Sequence, residues 1–208
     1  MKAAAGKIDL TNYFDTNAVA NDETSQFLST AFVNSAALQQ PRNGPGAFAF
    51  YDSKKSWRMG VGVQNPADSG FSVADRPYGI AELDYNTRFF RGYEGNYRIL
   101  GHMSRSLDDG NRGFGFSIDQ VLFPNFTGFA RYGFNNRSTG TANQYAWSAG
   151  FEKKKLLAVR PLDTLGFAFG QQEGTGASKI DTLTELYYRF FLTDHLSVSP
   201  HLQWLLRW

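Results

Sequence analysis

Residues Gly113–Phe134 read GFGFSIDQVLFPNFTGFARYGF, two runs that meet at Pro124–Asn125. In the first, Phe114, Phe116 and Ile118 alternate with Gly115, Ser117 and Asp119. In the second, Gly128, Ala130, Tyr132 and Phe134 alternate with Phe129, Arg131 and Gly133. Such alternation specifies extended chain, because a pleated backbone sends successive side chains to opposite faces. The Pro-Asn link folds the two runs into a hairpin. Each run is about ten residues long, whereas strands of globular proteins average about five or six. Strands that cross a bilayer need about nine to eleven. Runs of that length, apolar on one face and small or polar on the other, predict an all-β, antiparallel transmembrane β-barrel.

The pattern repeats on both sides of this hairpin. Upstream lie Lys7–Tyr13, Ala47–Tyr51, Trp57–Gln64, Tyr78–Thr87 and Asn96–Arg105; downstream lie Gln144–Glu152, Thr164–Gln171, Leu183–Leu192 and a last run through Leu196, Val198, Leu202 and Trp204. With the hairpin this makes eleven strands. The links DSKKS, FPN and TDH are short; NPADSGFSVADRP, RSLDDGNRG, NNRSTGTANQ and QQEGTGAS are longer and polar; RFFRGYEG and KKKLLAVRPLD are intermediate. Short turns on one side and long polar loops on the other are the asymmetry of a bacterial outer-membrane barrel. By that parity Trp208 ends on the long-loop side. Barrels of this kind have even strand numbers, and unpaired edges in lipid cost several kcal/mol per group, so strands beyond these eleven are needed for closure.

Residues 15–46 break the rhythm. Asn21 or Asp22 is placed to cap a short helix over Glu23–Phe32, and Pro41, Gly44, Pro45 and Gly46 end the segment in a loop. An excursion of this length between strands is usually functional. Folded into the lumen, it offers Glu23, Phe27, Phe32 and Arg42 as constriction candidates; otherwise it is a surface loop.

The totals agree. The 208 residues carry 21 glycines, 16% aromatics, no cysteine and a net charge of +2, with a mean hydropathy of −0.39. No apolar run approaches the roughly 20 residues of a transmembrane helix. The near-neutral charge gives no case for nucleic acid. The start, MKAAAGKIDL, lacks the apolar stretch of a signal peptide, so an outer-membrane destination predicts a mature or trimmed chain. Tyr51, Trp57, Tyr85, Tyr97, Tyr132, Trp147, Tyr188 and Trp204 face outward and suit a girdle at the lipid–water boundary.

Facing inward are Arg58, Glu82, Asp84, Arg98, His102, Asp119, Arg131, Glu152, Glu185, Arg189, His201 and Gln203. These are the pore-lining candidates. Both signs of charge occur, unlike the single-sign ring of an ion filter; mixed charges suit hydrogen bonding to hydroxyls. Their other reading is ion pairing within the wall. His102 and Ser104 beside Glu82 or Asp84 give only a weak hint of a Ser-His-acid site, so no enzyme is expected. Three histidines without cysteine make no metal site, and no cofactor is indicated.

Three blocks carry a family resemblance: AGKIDLTNYFDTNAVANDETSQFLSTAFVNS; GFGFSIDQVL with FTGFARYGF; and TELYYRFFLTDHLSVSPHLQW. In this order they resemble the carbohydrate-selective porin (OprB-like) family. The resemblance implies a sixteen-stranded outer-membrane barrel, of which this chain, shortened at both ends, supplies about eleven strands. It also implies passive diffusion of small sugars through a water-filled pore with outer-membrane lipid as surroundings, and it allows a monomer or a trimer; the missing strands call for a larger barrel or for partners, a homo-oligomer or a larger envelope complex. The alternatives are a structural barrel piece without transport, and a soluble β-sandwich or lipocalin-like binder.

Overall fold

The computed structural model describes residues 1–38, 43–53, 56–65, 77–104, 111–136, 143–173 and 180–207. Arg42, Trp208 and most of the four long polar links lie outside them. The described residues form one antiparallel sheet: β1 (Lys2–Ile8), β2 (Gly44–Asp52), β3 (Trp57–Gln64), β4 (Tyr78–Thr87), β5 (Gly95–Ser104), β6 (Asn111–Phe123), β7 (Phe126–Asn135), β8 (Tyr145–Lys154), β9 (Thr164–Glu173), β10 (Ile180–Thr193), β11 (Leu196–Val198) and β12 (His201–Arg207). Each strand pairs with its sequence neighbour, and β11 and β12 both pair with β10. They are one strand interrupted at Ser199–Pro200, so the described residues form eleven strands, ten of them on the runs read from alternation. The sheet is open: β1 and the β11–β12 strand are its edges.

The hairpin that led the sequence reading is β6–β7. Phe114 pairs with Phe134, Phe116 with Tyr132 and Ile118 with Ala130, and Asn125 takes a positive φ of 62° at the turn. The outward residues Phe114, Phe116, Ile118 and Tyr132 are 43%, 41%, 37% and 40% exposed. Met59, Val61, Leu83, Ile99, Met103, Leu202 and Trp204 extend this bare apolar face. Among the described residues no second sheet covers it, which removes the β-sandwich reading. Rings mark its short-turn border: Trp57 packs on Tyr85 at 4.4 Å, and Phe126 lies 4.4 Å from Phe123 and 4.9 Å from Phe151.

Two local expectations are corrected. The first strand is Lys2–Ile8 rather than Lys7–Tyr13. Asp9 ends it: its carboxylate accepts hydrogen bonds from the Thr11 amide (3.0 Å) and hydroxyl (2.6 Å), bending the chain into a single 3-10 turn at Leu10–Asn12. The helix placed over Glu23–Phe32 shrinks to α1, Thr30–Val33, with Ser29 at its N-cap. Asp22 does cap, but only one turn, through the Thr24 amide (2.8 Å), the Thr24 hydroxyl (2.6 Å) and the Ser25 hydroxyl (2.5 Å). The chain then straightens because Glu185 takes the Leu28 and Ser29 amides.

The apolar core lies between the inner face of the sheet and residues 10–38. One cluster joins Leu10, Phe14 and Leu38 to Phe48, Phe50, Tyr78, Ile80 and Leu100 on the wall. The other joins Val19, Ala20, Phe27 and Phe32 to Phe129, Ala168 and Tyr187. Glycines make room for it. A Cβ on Gly62 would sit 2.8 Å from the Phe14 ring, and one on Gly133 would sit 2.8 Å from the Ala37 Cβ.

Candidate functional site

The inner face places charge in register across five strands. Arg58 of β3 lies opposite Asp84 of β4, which lies opposite Arg98 of β5, then Ser117 of β6 and Arg131 of β7. Cross-strand neighbours on one face are close enough to interact. Arg58 pairs with Asp84 at 3.4 Å and Arg98 with Asp119 at 2.6 Å.

Arg131 is the centre of this face. Its side chain is 1% exposed, and Nε lies 3.2 Å from Asp15 Oδ1. Its guanidinium also donates to the carbonyls of Ala20 (2.6 Å), Phe32 (2.6 Å) and Asp15 (2.8 Å). One wall side chain thus gathers three separated points of the inserted segment. The planar fork of an arginine suits such multiple acceptance, where a lysine would bring a point charge. The Asp15 carboxylate in turn accepts the Ser35 amide at 2.6 Å, and the Asp15 amide donates to Glu82 at 2.7 Å. Burial pushes the Asp15 carboxyl above its ordinary range, and the Arg131 charge pulls it back. Asp22, near the water-facing side of the segment, is held below the usual carboxylate range by the Ser25 and Thr24 hydroxyls.

Other anchors follow the same scheme. Asn17 donates to the Ser117 hydroxyl and the Ile118 carbonyl, both at 3.2 Å. The Ala18 amide reaches Asp119 at 3.3 Å. Glu185 accepts the Leu28 amide at 2.8 Å and the Ser29 amide at 3.0 Å, and Arg189 donates to the Ser25 carbonyl. Asn135 donates to the Ala37 carbonyl. Arg58 donates to the Tyr13 carbonyl at 3.1 Å.

Of the twelve residues read as inward-facing, Gln203 is exposed on the edge strand opposite Glu185, and the other eleven are directed to the inner face. Nine of them, Glu82, Asp84, Arg98, His102, Asp119, Arg131, Glu152, Glu185 and His201, are buried there or nearly so, several directly engaged by the segment. Arg58 and Arg189 keep part of their surface in water. Among the constriction candidates Glu23 is exposed, whereas Phe27 and Phe32 point into the wall at 0% and 1% exposure. Their rings meet at 5.7 Å, and Phe27 also packs on Phe129 (5.7 Å) and Tyr187 (5.1 Å). These two rings anchor the segment, and the residues it exposes are Asn12, Ala18, Glu23, Thr24, Leu28 and Thr30.

Asp15, Asn17, Ser117, Asn135 and Tyr187 escaped the sequence reading. A signal was available for three of them: Ser117 and Asn135 are small polar residues at inward strand positions, and Asp15 stands beside buried Phe14. His102 is held by Asn135 at 2.8 Å and Asp84 by Arg58, so the Ser-His-acid hint at that strand dissolves. A hydrogen-bonded chain Ser199–His201–Glu185 does exist, at 2.9 and 2.7 Å. Its carboxylate is engaged by the Leu28 and Ser29 amides, so it fastens the segment. Among the described residues no group of three or more His, Cys, Asp or Glu side chains is disposed to hold a metal.

Comparison with known proteins fits this architecture. The structure of Pseudomonas putida OprB at high pH superposes with a TM-score of 0.75 at 14% identity, covering 98% of this chain and 64% of that one. The low-pH structure of the same protein gives 0.61 at 20% identity, over 77% and 50%. An uncharacterised protein of Aquifex aeolicus (strain VF5) is 26% identical over 195 residues, which are 94% of this chain and 56% of that protein. The chain therefore spans about half to two thirds of the length of these relatives. The family model for "Carbohydrate-selective porin, OprB family" matches residues 47–207. With more than half of its length so matched, this chain belongs to the carbohydrate-selective OprB porin family, whose members are channels of the bacterial outer membrane and not enzymes.

Proposed function

We propose that the chain forms the larger part of a water-filled barrel through which sugars and other small solutes diffuse passively, and that residues 9–38 narrow its interior. The observation that carries this reading is the sidedness of the sheet. A bare apolar outer face sits on the same strands as an inner face of paired charges holding a polar segment. A lipid-bathed wall around water demands that division. Further strands joining the free edges of β1 and β12 would complete the wall.

The polar side chains offered to a solute are Asn12, Glu23, Thr24 and Thr30 on the segment, beside exposed Leu28, with Arg58 and Arg189 at its margins. Amides, hydroxyls and a few charges bind sugar hydroxyls weakly and reversibly, as conduction requires. The buried pairs Arg98–Asp119 and Arg131–Asp15 set the segment's position rather than meeting the solute. Planar-bilayer recordings of the protein as its gene encodes it test the proposal. Stepwise conductance that falls as a neutral sugar is added is the expected result. Insertion without conductance would instead assign the chain a structural role in a plugged barrel, and conductance indifferent to sugars would remove the solute class.

A further inference from the structure

The outer side carries one feature that neither the pore nor the strand alternation requires. The link between β8 and β9, residues 155–163, leaves Leu156, Leu157, Val159 and Leu162 exposed by 43%, 48%, 87% and 52%. Such a cluster on a short connection is a cost in water. The link is nevertheless fixed in place. Asp163 binds Arg160, accepts the Tyr188 hydroxyl at 2.8 Å and accepts the Phe191 amide at 3.1 Å. Arg160 also donates to the Phe191 carbonyl at 2.9 Å. Tyr188 is an outward residue, so these bonds tie the link to the lipid side of the wall.

The surroundings continue the same chemistry. Lys153 reaches over the outward ring of Phe123 at 5.6 Å and donates to the Pro124 carbonyl at 3.2 Å. On the same rim, in the link between β4 and β5, exposed Phe89 packs against outward Tyr97 at 5.7 Å, and Arg91 lies 5.7 Å from the Phe90 ring. Among the described residues Lys153, Lys155 and Arg91 make no ion pair, whereas Arg88 pairs with Glu94 and Lys154 with Glu152. The exposed carboxylates of this rim are Asp52, Glu94 and Asp194. Exposed aliphatics fixed just beyond an aromatic border, with lysines whose stems can lie along apolar surface, suit the headgroup zone of a bilayer.

We propose that this short-turn rim is a docking surface for anionic phospholipid. Leu156, Leu157, Val159 and Leu162 enter the acyl boundary, and Lys153, Lys155 and Arg91 meet the phosphates. The surface is continuous with the lipid belt of the barrel, which is what selects lipid over a protein partner as its occupant. The inference depends on the outer-membrane setting and is independent of whether the pore conducts.

The chain has no cysteine, so L157C and V159C variants take a single environment-sensitive fluorophore. The protein is reconstituted into phosphatidylcholine vesicles containing either spin-labelled phosphatidylglycerol or spin-labelled phosphatidylcholine at equal fractions. Quenching of the position-157 fluorophore several-fold stronger by the phosphatidylglycerol probe is expected, with little quenching by aqueous iodide. In a K153Q/K155Q background the preference should fall to parity while the protein stays folded and inserted. Equal quenching by both lipid probes in the native background would overturn the anionic preference. Ready access to iodide at both positions would overturn lipid contact and favour a protein partner in the aqueous phase.

Discussion

Arg131→Ala should release residues 15–35 from the wall and raise the conductance of the reconstituted protein, with a loss of stability of about 3–5 kcal/mol, the usual cost of removing one partner from a buried ion pair. The size of the effect follows from what a single guanidinium holds. It meets the Asp15 carboxylate and the carbonyls of Asp15, Ala20 and Phe32. Its loss leaves a buried carboxylate without its cation and three carbonyls without that donor. Water must then enter, and the segment is the part free to move. Arg131→Lys should rescue little, because one ammonium cannot span acceptors on three stretches of chain. Channel recordings together with limited proteolysis between Asp15 and Ser35 check this. Native conductance and native protection in the alanine variant would show that the two aromatic clusters hold the segment unaided.

A charge on the outer face is the second large effect. Phe116 lies midway along β6, opposite Ile99 on one side and Tyr132 on the other, and is 41% exposed. An arginine at the midplane of a barrel's lipid face costs about 2–4 kcal/mol. Phe116→Arg should therefore lower the unfolding free energy in lipid vesicles by that amount, while Phe116→Leu, which keeps the face apolar, should change it little. Urea titration in vesicles followed by tryptophan fluorescence measures both. An arginine variant as stable as the parent would mean that Phe116 does not face hydrocarbon.

The wall was legible because its rule is local. Phe114, Phe116 and Ile118 alternate with Gly115, Ser117 and Asp119 whatever the rest of the chain does, and the bilayer makes that alternation obligatory. The segment was legible only as an interruption. Its true start depends on Asp9 bending the backbone, and the shortness of α1 depends on Glu185, more than 150 residues away, taking two amides that a helix would have used. Side-chain-to-backbone competition of this long range leaves no periodic trace. Arg131 and Glu185 were recognised as inward-facing, but their partners were invisible because those are mainly backbone groups of the segment. Phe27 and Phe32, as members of the segment, are expected from sequence to face the lumen. Folding turned them toward the glycine-lined wall, where Gly170 leaves the Phe32 ring its space.

The seating of this segment against the inner wall can be tested by a single cross-link. A Cβ built on Gly133 lies 3.6 Å from the Ser35 Cβ, within the range of about 3.5–4.5 Å spanned by a disulfide. The variant S35C/G133C, with A37G to clear the neighbouring methyl group, carries the only two thiols in the chain. Oxidised in vesicles and digested for mass spectrometry, it should give the 35–133 linked peptide in nearly full yield, with conductance unchanged from that of the reduced form. Two thiols that stay free under oxidant would place the segment away from the wall and contradict the account.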